Sequence, residues 1–497
     1  MLFNSYTFTF AFLPATLACY FLIGQWRKEW AGVWLVAASL LFYAYWDPRY
    51  VMLLLGSVVI NYFAGINLSK RGIHTASPRP ILLVMAVGFN LALLGYFKYA
   101  NFFVANLAAA GLDLSVPNVI LPLGISFFTF TQIAFLVDSW RGEAREPNFV
   151  HYLLFATYFP HLIAGPILHH KEMMPQFKRA EIYRLNPERL VNGLVIFIIG
   201  LFKKVVLADG VSAFAGPIFG AAAKGLHFLP QDAWSGALAY TFQLYFDFSG
   251  YCDMAIGASL MFGIALPLNF DSPYKSLNVI DFWRRWHMTL SRFLRDYLYI
   301  PLGGNRRGAI RRYVNLFITM LLGGLWHGAG WGFMVWGALH GIYLAINHAF
   351  HAFRPDRGFV IPRKVAVTAS WLVTFLAVVV AWVFFRADTL SSALRILAGM
   401  LHLTPEGANV FHQNAAATLR AWTWCAALLF AALVMPNTQE IMRDHLPTLS
   451  RPSNRGRLLG RTLGFGSTAG WAVAIGVMLC LGLACMPQPT NFLYFNF

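Results

Sequence analysis

The chain has 497 residues, of which 58% are hydrophobic, 16% are aromatic and only 12% are charged. A soluble domain carries about 25% charged residues, and disordered chains are poor in aromatic residues, so both of these classes are excluded. Lysine and arginine number 38 against 21 acidic residues, and we expect this charge of +17 to lie in loops against anionic lipid rather than to bind nucleic acid. The remaining class is a polytopic membrane protein.

Membrane segments are predicted where Asp, Glu, Lys and Arg are absent, because about 20 apolar residues cross the hydrocarbon core of a bilayer. These stretches are 1–26, 30–46, 50–69, 80–97, 114–137, 147–170, 254–270, 313–353, 365–385, 421–439 and 462–497. The first has no signal cleavage site and is expected to remain as a span, whereas 313–353 is long enough to cross twice. We predict an all-α fold with a single transmembrane domain over 1–497, roughly 11 to 13 membrane helices and its densest motifs at 245–341.

Basic residues near the ends of the segments predict the orientation, because such residues are retained on the cytoplasmic side. Arg27, Lys28 and the 70–79 loop would be cytoplasmic. Strict alternation would then place the basic 171–189 loop outside. We therefore expect an earlier segment to be re-entrant, and the proline-containing stretch 114–137 is the best candidate. Two later basic segments are expected on the cytoplasmic side: 271–312 and 443–461.

The 190–253 region differs from the other stretches because charged residues interrupt its apolar runs. Broken segments at membrane depth must be buried in protein or line a wet cavity, so this region indicates a binding site. Asp247, Ser249 and Asp253 lie in an aromatic run there. They either form a polar lining that orients a base or binds substrate, or are buried structural carboxylates satisfied by Arg, Tyr or Ser. We favour the second interpretation for direct chemistry and expect the cluster to border the site.

The segment 281–296 is predicted to be a helix with Asn278 as its N-cap. Its expected i,i+4 ion pairs are Asp281 with Arg285 and Arg292 with Asp296. One face of this helix would carry Arg284, His287, Ser291 and Arg295. Such a face beside tryptophans suits an anion such as a phosphate, although arginines alone also fit a helix that snorkels at the interface.

A third cluster surrounds His327, which has glycines nearby on both sides and lies between Trp326 and Trp331. The tryptophans can wall a pocket, and neutral histidine can accept a proton near neutral pH, as acyl transfer to a hydroxyl requires. The alternative is a hydrogen-bonded packing residue. His340 follows 13 residues later, about 220° around a helix, and is expected to be structural. No metal site is predicted. His348 and His351 have the spacing of a pair of metal ligands, but no carboxylate is close to them in sequence.

Three motifs resemble the membrane-bound O-acyltransferase family, in particular its bacterial polysaccharide branch with the alginate O-acetyltransferase membrane subunit. They are FWRRWHMTLSRFLRDYLYIPLGGNR (282–306), YFDFSGYCDMAIG (245–257) and LWHG (325–328). Shorter supporting elements are LPLGISFFTF (121–130), AGPI (164–167), PQF (175–177) and PTNFLYFNF (489–497). A teichoic-acid D-alanyl transfer protein is a second relative by this resemblance.

The resemblance implies helices arranged around a central tunnel in the bacterial inner membrane, with His327 as the essential histidine and His287 as the second. The expected substrate or tunnel lining is Asp247, Ser249, Asp253, Arg284, Ser291, Arg295, Trp326 and Trp331. No bound cofactor is implied. The donor would be acetyl-CoA or an acyl-thioester carrier in the cytoplasm. The acyl group would pass through a periplasmic acetyltransferase partner to an exopolysaccharide such as alginate or cellulose.

Two other functions fit part of the sequence. The interrupted 190–253 region and its carboxylates fit a transporter for polysaccharide or small molecules without covalent chemistry. The resemblance also allows a D-alanyl transfer protein that uses an acyl carrier protein.

Overall fold

A computed structural model describes residues 1–69, 80–112, 118–163, 165–353, 362–445, 463–487 and 493. The predicted cytoplasmic loop 70–79 lies outside the described residues. So do most of the 443–461 loop, most of the 489–497 motif and the first residue of the AGPI motif. The expectations for these segments stay predictions.

Helices make up nearly all of the first half of the described chain. They are α1 (Leu13–Trp26), α2 (Lys28–Ala44), α3 (Arg49–Ser69), α4 (Pro80–Leu94), α5 (Ala100–Ala109), α6 (Ile125–Arg141), α7 (Phe149–Thr157), α8 (Phe159–Leu162), α9 (His170–Phe177), α10 (Pro187–Phe202), α11 (Asp209–Ala223) and α12 (Pro230–Met261). π-Helical turns precede α1 and join α4 to α5 and α10 to α11, at Thr7–Phe12, Gly95–Tyr99 and Lys203–Ala208, and a 3-10 turn forms at Ala180–Tyr183.

The second half is also helical. Its helices are α13 (Val279–Trp283), α14 (Met288–Leu294), α15 (Ala309–His327), α16 (Trp331–Phe353), α17 (Arg363–Arg386), α18 (Leu390–Met400), α19 (Ala415–Leu433), α20 (Thr438–Ile441) and α21 (Ala469–Cys485). A 3-10 turn precedes α13 and a π-turn follows α14, at Pro273–Lys275 and Arg295–Tyr299. Two short strands, β1 (His227–Phe228) and β2 (Val410–Phe411), pair in parallel with His227 opposite Val410.

The predicted all-α, multi-pass class is confirmed. Six helical stretches within the described ranges are long and apolar enough to cross a membrane. They are Thr7–Trp26, Arg49–Ser69, Pro80–Ala109, Pro187–Ala223, Arg363–Arg386 and Ala415–Leu433. This number is below the 11 to 13 expected; two further apolar helices of the described residues, α18 and α21, are shorter than these six.

The region 190–253, whose apolar runs are interrupted by charges in the sequence, is buried in protein, which is one of the two alternatives expected for it. Helical structure continues from Pro187 to Ala223 and packs along α12, of which nearly every residue is buried. The glycines of both helices permit close contact, since a Cβ on Gly200 would lie 2.6 Å from the carbonyl oxygen of Gly250. Four of the interrupting charges pair with one another inside the protein, Lys203 with Asp253 and Lys204 with Asp247.

The two flanks of segment 147–170 lie close together, whereas the stretch 114–137 expected to be re-entrant is described only from residue 118, and that expectation stays a prediction. The flanks of 147–170 meet: His170 Nε2 lies 2.9 Å from the carbonyl oxygen of Glu143, and Lys178 pairs with Glu146 at 3.5 Å. By contrast α6, within the predicted stretch, runs from one end of α15 towards the other. Its first turn lies beside His327 and its last turn beside the π-turn that follows α14.

Candidate active site

His327 is the last residue of α15, where a tight turn leads into α16. Glycines make this hairpin possible, because a Cβ on Gly337 would lie 2.5 Å from the carbonyl oxygen of Met320. The imidazole is 3% exposed and is enclosed by aromatic rings. Its ring centroid lies 5.0 Å from that of Trp326, 5.1 Å from Trp336 and 5.3 Å from Phe385. The sequence therefore places this histidine at a helix end inside the protein.

His287 faces His327, with 6.2 Å between the two ring centroids. The predicted unbroken helix over 281–296 was wrong: α13 ends at Trp283, α14 begins at Met288, and His287 between them has φ +43°. A non-glycine residue in this left-handed region is strained, and such strain is concentrated at functional sites. The break turns His287 into the interior, where it is fully buried, and away from the arginines with which it was expected to share a face.

Asn269 orients the His287 ring. Its Oδ1 lies 3.0 Å from His287 Nδ1 and also accepts hydrogen bonds from the backbone N–H and the hydroxyl of Thr289. Because this oxygen acts as an acceptor, neutral His287 carries its proton on Nδ1 and its lone pair on Nε2. That tautomer is suited to accept a proton through Nε2.

The arginines line a separate cavity of about 550 Å³ beside the middle of α15. Arg284, Ser291 and Arg295 contribute to it, together with His348 and Met288, which directly follows His287. The cavity is therefore rich in donors for an anion and reaches towards the histidine pair.

Of the two ion pairs expected in the segment 281–296, one forms and the other does not. Asp281 pairs with Arg285 at 3.2 Å, and Asn278 caps α13, as expected. The expected pair of Arg292 with Asp296 was wrong. Both guanidinium ends of Arg292 instead bind Glu172 of α9, and Asp296 binds the adjacent Arg295. The reason is that a π-turn begins at residue 295 and changes the side-chain register.

His327 itself lines a narrow cavity of about 50 Å³ with Trp326, Lys98 and Ser126, which holds a few waters at most. Trp331 lines a different cavity of about 540 Å³. Its indole N–H donates to Asn106 Oδ1 at 3.0 Å, and the ring is half exposed. The expectation that both tryptophans wall a single pocket was therefore wrong.

The carboxylates of α12 lie in the packed interior and not on the cavities described above. Asp247 pairs with Lys204 at 2.7 Å, and Asp253 with Lys203 at 2.8 Å and with Thr438 Oγ1 at 2.6 Å. Ser249 is buried beside them. This placement matches the structural interpretation, although the partners are mainly lysines of the π-turn Lys203–Ala208, which sequence spacing did not indicate.

His340 occupies a structural position, since its Nδ1 accepts a hydrogen bond from the Trp283 indole at 3.2 Å. His169 and His170 join a network with Asp138 and Tyr297. His170 Nδ1 lies 3.1 Å from Asp138 Oδ2, and the Tyr297 hydroxyl contacts both this carboxylate and His169. The described residues include no group of three or more His, Cys, Asp or Glu that could hold a metal.

Sequence reasoning missed Asn269 and Lys98. Asn269 had no signal, because an asparagine in a loop is common and its partner lies 18 residues away. Lys98 did have a signal in the sequence, because it is a charged residue at the end of a long apolar stretch. In the structure it lies within one candidate membrane span, Pro80–Ala109. Both residues contact the histidine motif only through the tertiary fold.

The fold is that of a multi-pass helical membrane protein, and two facing histidines are buried inside it near separate cavities. These features indicate a membrane-embedded enzyme. Residues 123–387 match the sequence family described as MBOAT, membrane-bound O-acyltransferase family. The chain belongs to this family and is a membrane-bound O-acyltransferase.

Several relatives carry more specific names. A peptidoglycan O-acetyltransferase of Helicobacter pylori is 47% identical over 435 residues, which cover 81% of this chain and 80% of the relative. A probable alginate O-acetylase of Pseudomonas putida is 44% identical over 406 residues, 80% of each chain. A teichoic acid D-alanyltransferase of Bacillus subtilis is 26% identical over 271 residues, which cover 52% of this chain and 67% of the relative.

Proposed function

We propose that this protein moves an acetyl group from a cytoplasmic thioester across a bacterial inner membrane for the O-acetylation of a cell-envelope or extracellular polysaccharide. The observation that carries the proposal is the facing pair of His327 and His287. His327 lines the narrow cavity, and Met288, the residue after His287, lines the arginine cavity. The names of the relatives support acetyl transfer to a glycan and make peptidoglycan a candidate polymer beside alginate and cellulose.

The donor is proposed to enter through the arginine cavity. The segment 271–312, which forms much of this cavity, carries nine basic and three acidic residues, and such an excess favours the cytoplasmic side. Arg284, Ser291 and Arg295 supply donors for the phosphates of acetyl-CoA or of a carrier-bound phosphopantetheine arm. The thioester end would then point towards Met288 and the histidines.

His327 is proposed as the general base. The acceptor hydroxyl enters the narrow cavity, where His327 takes the proton of the hydroxyl. The hydroxyl oxygen then forms a bond to the thioester carbonyl carbon. The carbon–sulfur bond then breaks, and the leaving thiolate takes the proton from protonated His327, which returns to its neutral form. His287 and Trp326 hold the reacting groups in place in this scheme. A periplasmic acetyltransferase partner would accept the acetyl group and deliver it to the polymer.

The His327→Ala substitution tests the proposal. Replacing the base should lower acetyl transfer by about 100-fold or more, because general base catalysis contributes about 10²–10⁴-fold. The measurement is the acetyl content of isolated cell-envelope polysaccharide by mass spectrometry, in a deletion strain that carries each variant at matched protein levels.

His351→Ala is the matched control, since His351 is an exposed histidine at the far end of α16. It should retain full acetylation. Full acetylation with His327→Ala would contradict the proposal. In membrane vesicles, labelled acetyl-CoA, acetylated carrier protein and D-alanylated carrier protein offered side by side would identify the donor.

The transporter alternative loses its main support, because the carboxylates that suggested it are engaged by Lys203 and Lys204. It predicts a deletion strain with polymer trapped inside and with unchanged acetyl content per sugar. The D-alanyl alternative is supported by relatives that match only about half of this chain.

A further inference from the structure

Lys98 is a buried cation within a membrane helix. It lies in the π-turn Gly95–Tyr99 of the candidate span Pro80–Ala109 and is 8% exposed. An ammonium group at this depth is costly unless polar groups satisfy it. Its Nζ contacts three oxygens: Trp326 O at 2.5 Å, His327 O at 3.1 Å and Ser126 Oγ at 3.1 Å. An ammonium has three N–H donors, so these three acceptors use all of them.

Two of these oxygens belong to the last turn of α15. The final four carbonyls of an α-helix have no partner within the helix and carry partial negative charge. Here each has a partner. The Gly324 oxygen accepts from Gly328 N–H at 3.4 Å, and the Leu325 oxygen accepts from the Tyr99 hydroxyl at 2.7 Å. Lys98 binds the remaining two, those of Trp326 and His327.

We propose that Lys98 is a positioning residue that fixes the end of α15, and thereby the His327 imidazole, in the cavity where the reaction takes place. It lines the narrow cavity but donates no hydrogen bond to substrate in this scheme, because its three donors are already used. The inference rests on the proposed role of His327 as the base. A loosened last turn would displace the imidazole, and a displacement of about 1 Å can lower the rate about 100-fold.

The experiment uses the full-length protein in membrane vesicles, with acetyl-CoA or the acetylated carrier, whichever proves to be the donor. Lys98→Ala should lower kcat by about 10-fold or more, while the donor KM stays within about twofold, because the donor cavity is elsewhere. Ethylammonium added to this variant should restore kcat by about threefold or more, since it supplies both charge and N–H donors. Tetramethylammonium, which has the charge without donors, should restore nothing.

Lys224→Ala is the matched control, because Lys224 is an exposed lysine just beyond α11. It should retain the kcat of the unaltered protein. If Lys98→Ala does not yield folded protein, Lys98→Met keeps the length of the side chain and should show the same loss of kcat at unchanged KM.

A kcat within twofold of the unaltered protein, a loss confined to KM, or equal restoration by tetramethylammonium would each overturn this inference. Such results with an inactive His327→Ala variant would leave the proposed function in place. An active His327→Ala variant would overturn the proposed function itself.

Discussion

At the scale of single residues, the site depends on a strained turn at His287. Its left-handed backbone costs about 1–3 kcal/mol for a non-glycine residue and is retained only where the surroundings fix it. Asn269 does so, because its backbone oxygen accepts from Met288 N–H at 3.0 Å and its side-chain oxygen binds His287 and Thr289. One asparagine therefore sets both the direction and the tautomer of this ring.

Asn269→Leu should lower kcat by about 10-fold or more, because His287 loses the acceptor that fixes its tautomer and a buried polar group loses its partner. Cys252→Ala is the control. Cys252 Sγ accepts a hydrogen bond from the amide nitrogen of Asn269 at 3.3 Å, so this substitution leaves the contacts of the Asn269 oxygen in place. It should retain kcat within about threefold. Acetyl transfer in vesicles measures both, and equal rates for the two variants would refute the role of the Asn269 oxygen.

At the scale of elements, close helix contacts at glycines bring the charged side chains of 190–253 together. Helix α10 approaches α12 so closely that the backbone carbonyl of Gly250 would contact any side chain at Gly200. Small residues permit this approach between membrane helices. The same approach allows Lys203 and Lys204, just beyond α10, to reach the carboxylates of α12.

Gly200→Ala should therefore destabilise the protein by about 1–3 kcal/mol, because its Cβ would lie 2.6 Å from Gly250 O and 2.7 Å from Met254 N. Gly220→Ala is the matched control, since a Cβ there meets nothing within 4 Å. It should hold or raise stability, because alanine favours a helix over glycine by about 1 kcal/mol. Thermal unfolding midpoints in detergent compare the two. A Gly200→Ala midpoint equal to or above that of Gly220→Ala would disprove the close contact.

At the scale of the whole molecule, the segment 147–170 resolves the conflict between basic loops and strict alternation. It enters and leaves at one end, so the flanking residues around 143–146 and 170–178 share a side. The arginine cavity lies towards that side as well, because Arg141 contacts Asp296 O and Tyr297 contacts Asp138. The basic 171–189 loop then lies on the cytoplasmic side, as its basic residues predict.

Cysteine labelling tests this arrangement in a variant without the five native cysteines. Arg145→Cys and Arg179→Cys, both exposed, should react with a membrane-impermeant maleimide only when the cytoplasmic side is open to the reagent. Glu406→Cys, exposed beyond α18 near the other end, should react from outside in intact spheroplasts. Labelling of positions 145 and 179 from opposite sides would mean that 147–170 crosses the membrane.

Composition and short motifs are local properties, so they were enough to predict the membrane class, the all-α fold and the family, and to single out His327 and His287 as candidates. Helical periodicity also correctly gave the cap at Asn278 and the pair of Asp281 with Arg285. The tertiary fold was needed to show that the helix breaks before Met288, since the break depends on Asn269. It alone joined Lys98 to a carbonyl 229 residues away, because such contacts depend on how helices pack and not on the pattern within any one of them.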